Sequence, residues 1–130
     1  MFALDTNTLI DYFKGAGRVA EHFLAISPRE IAIPSIVLYE LESGLSKSPQ
    51  SIQRRKALDE LVELVQILPF DKSSAHAAAT IRVHLEQAGT PIGPLDTLIA
   101  GISQAYGVTL VTHNTQEFSR VPRLSLIDWF

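Results

Sequence analysis

The chain has 130 residues, a length that suits a single compact domain spanning residues 1–130. It contains no cysteine, which excludes disulfide frameworks, thiolate zinc sites and thiol nucleophiles and fits a reducing compartment such as the cytoplasm. Its 11 Lys and Arg against 14 Asp and Glu give a net charge of -3, which disfavours a nucleic-acid partner unless the acids gather at one site.

Short apolar runs alternate along the chain with stretches of helical periodicity. Residues 2–4 are predicted as a first strand, followed by a helix that Thr6 caps and that Gly15 and Gly17 stop. The remaining elements are predicted in this order: helix 19–26, strand 31–33, a helix capped by Ser35 and reaching Leu45, helix 51–65, strand 67–68, helix 73–88, a helix from Pro94 to Tyr106, strand 108–111 and strand 124–127.

Strands that alternate with helices favour an α/β fold with a parallel sheet covered on both faces. In such a sheet, ligands bind outside the carboxyl ends of the strands, so functional residues are expected just after each strand. No apolar run approaches the roughly 18 residues that span a bilayer, and no basic, apolar leader precedes Asp5. We therefore expect a soluble protein without a membrane partner.

Three acids interrupt apolar segments at positions that the predicted fold places near the carboxyl ends of the strands. Asp5 follows the first strand directly, Glu40 lies on the helix after the second strand, and Asp96 lies in the first turn of a late helix. Each also has a simpler explanation, because Asp5 could only cap a helix, Asp96 could only suit the helix dipole, and a single helical Glu is usually solvated. Their common direction favours a shared site.

A fourth polar group follows the strongest predicted strand, at Thr112, His113 and Asn114, with Glu117 close behind. Crowded carboxylates are costly unless they share protons or bind cations. Oxygen ligands without cysteine or paired histidines suit Mg²⁺ or Mn²⁺. The sequence therefore predicts a hard divalent cation at this edge, with His113 as a neighbour of undefined role.

These residues lie within segments whose order and spacing are informative. The segments are Leu4-Asp5-Thr6-Asn7, residues 39–44 (YELESG), residues 92–100 (IGPLDTLIA), Val111-Thr112-His113-Asn114 with Glu117-Phe118, and the late Asp128-Trp129. Together they closely resemble the PIN-domain ribonucleases and, among these, the VapC toxins of bacterial and archaeal toxin–antitoxin pairs. The resemblance covers essentially the whole chain, and the ordered set is specific although each motif alone is weak.

The resemblance implies a three-layer PIN fold, with a central parallel sheet of four to five short strands, and a metal-dependent endoribonuclease. Asp5, Glu40 and Asp96 match the family's acidic metal ligands, Asn114 occupies a fourth position where many members have Asp, and Thr112 matches a hydroxyl residue beside the site. The implied cofactor is Mg²⁺, with Mn²⁺ as a substitute. A neutral Asn114 supports a second ion less well, so one or two ions are both compatible with the pattern.

The resemblance also implies partners: an RNA substrate such as a tRNA or another structured RNA, a VapB-type antitoxin that blocks the site, and a second copy in a homodimer. Apolar residues in excess on helices 19–26 and 36–45 are compatible with such interfaces. The candidate RNA-binding cations are Lys14, Arg18, Lys47, Arg54, Arg55, Lys56, Arg82 and Arg120.

Other functions remain open at this point. A haloacid-dehalogenase-type phosphatase would need a second Asp where Asn7 stands, and a phosphorelay receiver would need a late Lys, although no Lys follows Lys72. The main alternative is a catalytically inactive PIN-like module that binds RNA or protein. Carboxylate-dependent Mn²⁺ binding would separate the enzyme from that module.

Overall fold

A computed structural model describes residues 1–130 and contains one sheet of five parallel strands in the order β3-β2-β1-β4-β5. The strands are β1 (Phe2–Leu4), β2 (Ile31–Pro34), β3 (Gln66–Leu68), β4 (Thr109–Val111) and β5 (Leu126–Ile127). Residues 31–34 of β2 are all buried, as expected for a parallel strand covered on both faces. The predicted three-layer α/β fold, with helices flanking the sheet, is confirmed.

Seven helices surround the sheet. They are α1 (Thr6–Lys14), α2 (Val19–Leu24), α3 (Ser35–Leu45), α4 (Ser51–Leu64), α5 (Lys72–Gln87), α6 (Pro94–Tyr106) and α7 (Thr115–Phe118). Twenty-six buried residues of the sheet and the helices form one continuous hydrophobic cluster. None of the helices is both long and apolar enough to cross a membrane.

The predicted helix caps required correction. Asp5, not Thr6, caps α1, because its Oδ1 accepts the backbone N–H of Thr8 at 2.9 Å. Ser35 is the first residue of α3 and caps nothing there; its Oγ accepts the backbone N–H of Phe70 instead. In both cases, a hydroxyl residue next to the true boundary gave a cap signal one position too late.

Further differences concern the start of α5 and two short elements. Helix α5 begins at Lys72 behind the capping residue Asp71, whose Oδ1 accepts the backbone N–H of Ser74 at 2.9 Å, one residue before the predicted start. The short helix α7 and a 3₁₀ turn at Pro28–Glu30 were not predicted. Such short elements hold too few residues to show a hydrophobic period.

Helices α5 and α6 pack with their backbones in close contact at Gly101. A Cβ atom added to Gly101 would lie 2.6 Å from the Ala78 Cβ and 2.9 Å from the Ala78 backbone nitrogen. Glycine opposite alanine therefore lets the two helices approach as closely as backbone atoms permit. This contact fixes α6, the helix that carries Asp96.

The sheet reverses its direction of growth at β1. The chain adds β2 and β3 on one side of β1 and then returns to place β4 on the other side. The register pairs Leu4 with Val111, so β1 and β4 end side by side. Crevices at such switch points are the usual ligand sites of open parallel sheets.

Candidate active site

Asp5 lies at this switch point, immediately after β1. Its backbone N–H donates to the Val111 carbonyl of β4 at 3.1 Å, and its side chain is only 5% exposed. Burial raises the pKa of the Asp5 carboxyl above its ordinary value, although hydrogen bonding from Thr112 and Thr8 opposes that shift. Asp5 thus caps α1 with one oxygen and stands within the predicted site.

Asp96 lies in the first turn of α6, behind the Gly93-Pro94 start. Its pKa is raised from 3.8 to about 6, first by burial and then by the negative charges of Glu40, Asp5 and Glu117. The charges of three acids from other parts of the fold therefore act on the Asp96 carboxyl. The structure brings together the three acids that the sequence singled out, and it adds Glu117.

Glu40 is held in place by Thr6, which the sequence suggested only as a helix cap. The Thr6 hydroxyl donates to Glu40 Oε1 at 2.7 Å and so joins α1 to α3 beside the site. Glu42, two residues on, forms an ion pair with Arg55 of α4 instead. Glu40 and Glu42 therefore bond to different helices. The signal that identifies Thr6 is its position directly after Asp5.

Thr112 and Asn114 follow β4 and lead into α7. Thr112 is fully buried, and its hydroxyl accepts the Asn114 backbone N–H at 3.0 Å. The Asn114 side-chain nitrogen donates to Glu117 Oε2 at 3.0 Å. This pairing leaves the Asn114 amide oxygen as the atom that can face a cation, and it holds Glu117 close to the other acids.

His113 and Gly44 lie in the same sequence segments as the candidate site residues. The ring of His113 bonds through Nδ1 to Asp128 Oδ2 at 2.9 Å and stacks on Phe130. At Gly44 of α3, an added Cβ atom would meet nothing within 4 Å. The space beside Gly44 is therefore open.

The donor atoms of the candidate site determine which cation it can hold. No three carboxylate or imidazole side chains converge closely enough to enclose a bare ion. Mg²⁺, however, usually keeps several waters and takes only one or two direct carboxylates from a protein. The donors here are all oxygens, and the raised pKa of Asp96 reports a repulsion that a cation would relieve. The residues fit a hydrated hard cation.

Three of the eight candidate RNA-binding cations already have acidic partners. Arg18 pairs with Glu21, Arg82 with Glu86, and Arg55 with both Glu42 and Asp59. Arg120 is different, because its Nη1 donates to the Pro91 carbonyl at 3.2 Å, just ahead of α6. Among these arginines, Arg120 therefore lies beside elements of the site.

Comparison with known families and curated proteins places these features in context. The PIN domain family matches residues 2–124. The tRNA(fMet)-specific endonuclease VapC of Salmonella typhimurium is 33% identical over 128 residues, which is 98% of this chain and 97% of that protein. Ribonuclease VapC2 of Rickettsia felis is 42% identical over 99 residues, or 76% of this chain and 74% of that protein.

The solved structures that resemble this chain also contain VapC-type proteins. The toxin–antitoxin complex VapBC2 of Rickettsia felis, bound to a DNA fragment from its promoter, contains a chain that superposes with a TM-score of 0.92 at 35% identity. DNA-bound VapBC of Salmonella typhimurium gives the same TM-score and identity. In both comparisons the match covers 99% of this chain and 98% of the other chain.

Proposed function

Because the chain belongs to the PIN-domain family and is an endoribonuclease of the VapC group, we propose that it is a Mg²⁺- or Mn²⁺-dependent toxin that hydrolyses phosphodiester bonds of structured RNA in the cytoplasm. The observation that supports metal dependence most directly is the half-buried Asp96, which faces the charges of Glu40, Asp5 and Glu117. A cation at this point offsets charge that the protein leaves unpaired.

The proposed ion is held by Asp5, Glu40, Asp96 and the amide oxygen of Asn114. When bound, it supplies activation of a water molecule and neutralisation of charge on the phosphate and the leaving oxygen. One ion is sufficient for this scheme, and the neutral Asn114 supports a second ion less well than an aspartate would.

The protein's own contribution is to hold these ligands in place. The Thr8 backbone N–H fixes Asp5 Oδ1, and the Thr6 hydroxyl fixes Glu40 Oε1. Thr112 contributes hydrogen bonding to Asp5 and accepts the Asn114 backbone N–H. These contacts act as outer partners that orient metal ligands, a role that usually affects metal affinity and activity strongly.

Transfer RNA is the first substrate class to test, with initiator tRNA as its leading member. This choice rests on the name of the Salmonella relative, which is 33% identical over nearly the full chain. The target also depends on groove shape and on a few base contacts, so other structured RNAs belong in the same assay.

The proposal predicts that purified protein cleaves RNA with Mg²⁺ or Mn²⁺ and does not cleave it in EDTA. Asp5→Ala or Asp96→Ala should lower the cleavage rate by more than about 100-fold, because loss of even an outer partner of a metal ligand costs about 10- to 100-fold. Glu60→Gln, on the exposed face of α4, is the matched control.

Equal cleavage rates for the wild type and the Asp5 and Asp96 variants would overturn this function. Absence of both RNA cleavage and carboxylate-dependent Mn²⁺ binding would instead favour the inactive binding module. Mapping of RNA ends after a short pulse of expression identifies the target.

We extend the proposal to two protein partners. The related complexes pair a VapC-type chain with an antitoxin, which supports a VapB-type antitoxin for this chain. Leu24 of α2 and Tyr39 of α3 remain 78% and 60% exposed, which is consistent with protein contacts and with a homodimer. The homodimer proposal is wrong if light scattering shows a monomer at micromolar concentration.

A further inference from the structure

A column of stacked groups stands beside the candidate site and takes no part in the scheme above. Its base is the backbone of Gly17, where a Cβ atom would lie only 2.7–2.9 Å from three atoms of the Phe130 ring. The Phe130 ring therefore lies flat against a residue with no side chain. The Arg18 backbone N–H also donates to the Phe130 carbonyl at 3.1 Å and secures this position.

His113 continues the column on top of Phe130. The two ring centroids are 4.4 Å apart and the planes are inclined by 27°, which is a stacked geometry. One face of the imidazole is thus covered by Phe130, and its Nδ1 edge is bonded to Asp128. The side chain is nevertheless 57% exposed, so the opposite face and the Nε2 edge are open to solvent.

Asp128 holds both rings at once. Its Oδ1 accepts the Phe130 backbone N–H at 2.8 Å, and its Oδ2 bonds to His113 Nδ1 at 2.9 Å. Because a carboxylate accepts this bond, Nδ1 carries the hydrogen and the ring plane is fixed. Asp128 follows β5 as Thr112 follows β4, so this column lies at the same edge of the sheet as the acids.

The position along the chain places His113 next to residues of the candidate site. His113 stands between Thr112, which contributes hydrogen bonding to Asp5, and Asn114, which pairs with Glu117. An oriented, solvent-exposed ring next to a phosphodiester-cleaving site matches how proteins bind unpaired RNA bases, which stack on His, Phe, Tyr or Trp side chains.

We propose that the open face of His113 is a stacking platform for one unpaired base of the RNA next to the cleaved phosphate, with Phe130 as its support and Asp128 as a positioning residue. The proposal rests on the proposed ribonuclease function. Stacking tolerates any base, because every base has a flat aromatic face, so the platform contributes affinity and register along the strand, not a sequence code.

The test compares three substitutions of His113 in the intact protein, using the cleaved RNA as substrate. Stacking of one base contributes about 1–3 kcal/mol, so His113→Ala should raise KM by about 5- to 150-fold with kcat nearly unchanged. His113→Phe keeps the flat ring but loses the bond to Asp128, so its KM should lie between those of the wild type and His113→Ala. His113→Gln keeps hydrogen bonding without a ring and should behave like His113→Ala.

Asp128→Ala tests the positioning role separately. It should raise KM in the wild-type background but add nothing to His113→Ala, because Asp128 acts through the His113 ring. His84→Ala on the exposed face of α5 is the matched control, and thermal melting establishes that each variant is folded.

A second readout does not depend on cleavage. Binding of a fluorescent RNA hairpin with an unpaired loop is measured by anisotropy in EDTA, where the same order of affinities is expected for the His113 variants. If the wild type cleaves no RNA, the proposed function is wrong. The anisotropy measurement still tests whether His113 stacks on a base, because it does not depend on cleavage. The stacking proposal is wrong if His113→Ala leaves KM and RNA binding unchanged. It is also wrong if the Phe and Gln variants behave alike, or if His113→Ala lowers kcat alone.

Discussion

Single residues of this protein carry two structural tasks, and Asp5 is the clearest case. Capping of α1 and membership of an acidic site were alternative explanations of Asp5 in the sequence, yet the capping bond occupies only one of its two carboxylate oxygens. The cap is confirmed, and metal binding stays a prediction. A cap is a local feature that sequence reveals, whereas the companions of Asp5 come from residues as distant as Glu117 and depend on the fold.

The buried hydroxyl of Thr112 should matter more than its small size suggests. Thr112→Val keeps the shape but leaves the buried Asp5 carboxylate and the Asn114 N–H short of a partner, which costs about 1–3 kcal/mol. Cleavage should fall by about 10- to 100-fold, as for other outer partners of metal ligands. Urea unfolding and cleavage rates measure the two effects.

Thr109→Val is the matched control for this prediction. Thr109 lies on β4, the strand that Thr112 follows, but its hydroxyl bonds to Ser125 at an exposed position. Such surface changes usually stay within about 0.5 kcal/mol. Equal effects of the two substitutions would show that the Thr112 hydroxyl has no special role.

At the scale of elements, the long helices were the most predictable parts. Apolar residues at helical spacing and the stop at Gly107 placed α6, and Gly107 indeed adopts a left-handed φ of 65° at its end. Helix α7 has only four residues, so no period could identify it. The contact of Gly101 with Ala78 was also invisible, because only the fold decides which faces of α5 and α6 meet.

The packing of α5 on α6 predicts a large response to one added methyl group. Gly101→Ala should destabilise the protein by about 1–3 kcal/mol, because the new Cβ would overlap the Ala78 backbone and force the helices apart. The shift should also displace Asp96 and lower cleavage. The free energy of unfolding in urea is the measurement.

The control is Gly44→Ala on α3, where an added Cβ atom meets nothing within 4 Å. In a helix, alanine is favoured over glycine by about 0.5–1 kcal/mol, so this variant should be slightly more stable than the wild type. If Gly101→Ala were stabilising as well, the close approach of the helices would not be a constraint.

On the scale of the whole molecule, net charge was a misleading guide to function. The total of -3 suggested a poor partner for RNA, yet three acids act on Asp96 at one edge while several cations pair elsewhere. The sequence predicted the strand–helix alternation and hence the edge. It could not predict the contact of His113 with Asp128, because these residues are 15 positions apart and the last strand is weakly patterned.

The crowding of acids predicts that stability depends on pH. The folded pKa of Asp96 is raised to about 6, so folding disfavours its ionised form: the contribution of Asp96 to stability is fully present below its ordinary pKa of 3.8 and is lost as pH rises through about 6. In EDTA at pH 7, Asp96→Asn should therefore be more stable than the wild type. We expect about 1 kcal/mol, reduced from the full shift because solvent screens a half-exposed carboxyl.

The difference between Asp96→Asn and wild type should vanish near pH 4, and urea unfolding from pH 4 to 8 measures it. Added Mg²⁺ should stabilise the wild type but not the variant, since a ligand that binds only the folded state shifts unfolding. A difference that is equal at pH 4 and pH 8 would contradict the mutual repulsion of the acids.

The hydrogen bond from the Thr112 backbone to the Ile127 carbonyl of β5, 2.9 Å long, has a consequence for the order of events during synthesis. The ribosome makes β5 after every acid of the site, and the Thr8 hydroxyl meets the Val111 carbonyl only across 103 positions of chain. Contacts of such sequence separation form late in folding. The edge of the sheet that carries the acids is therefore complete only once β5, the last strand, has been made.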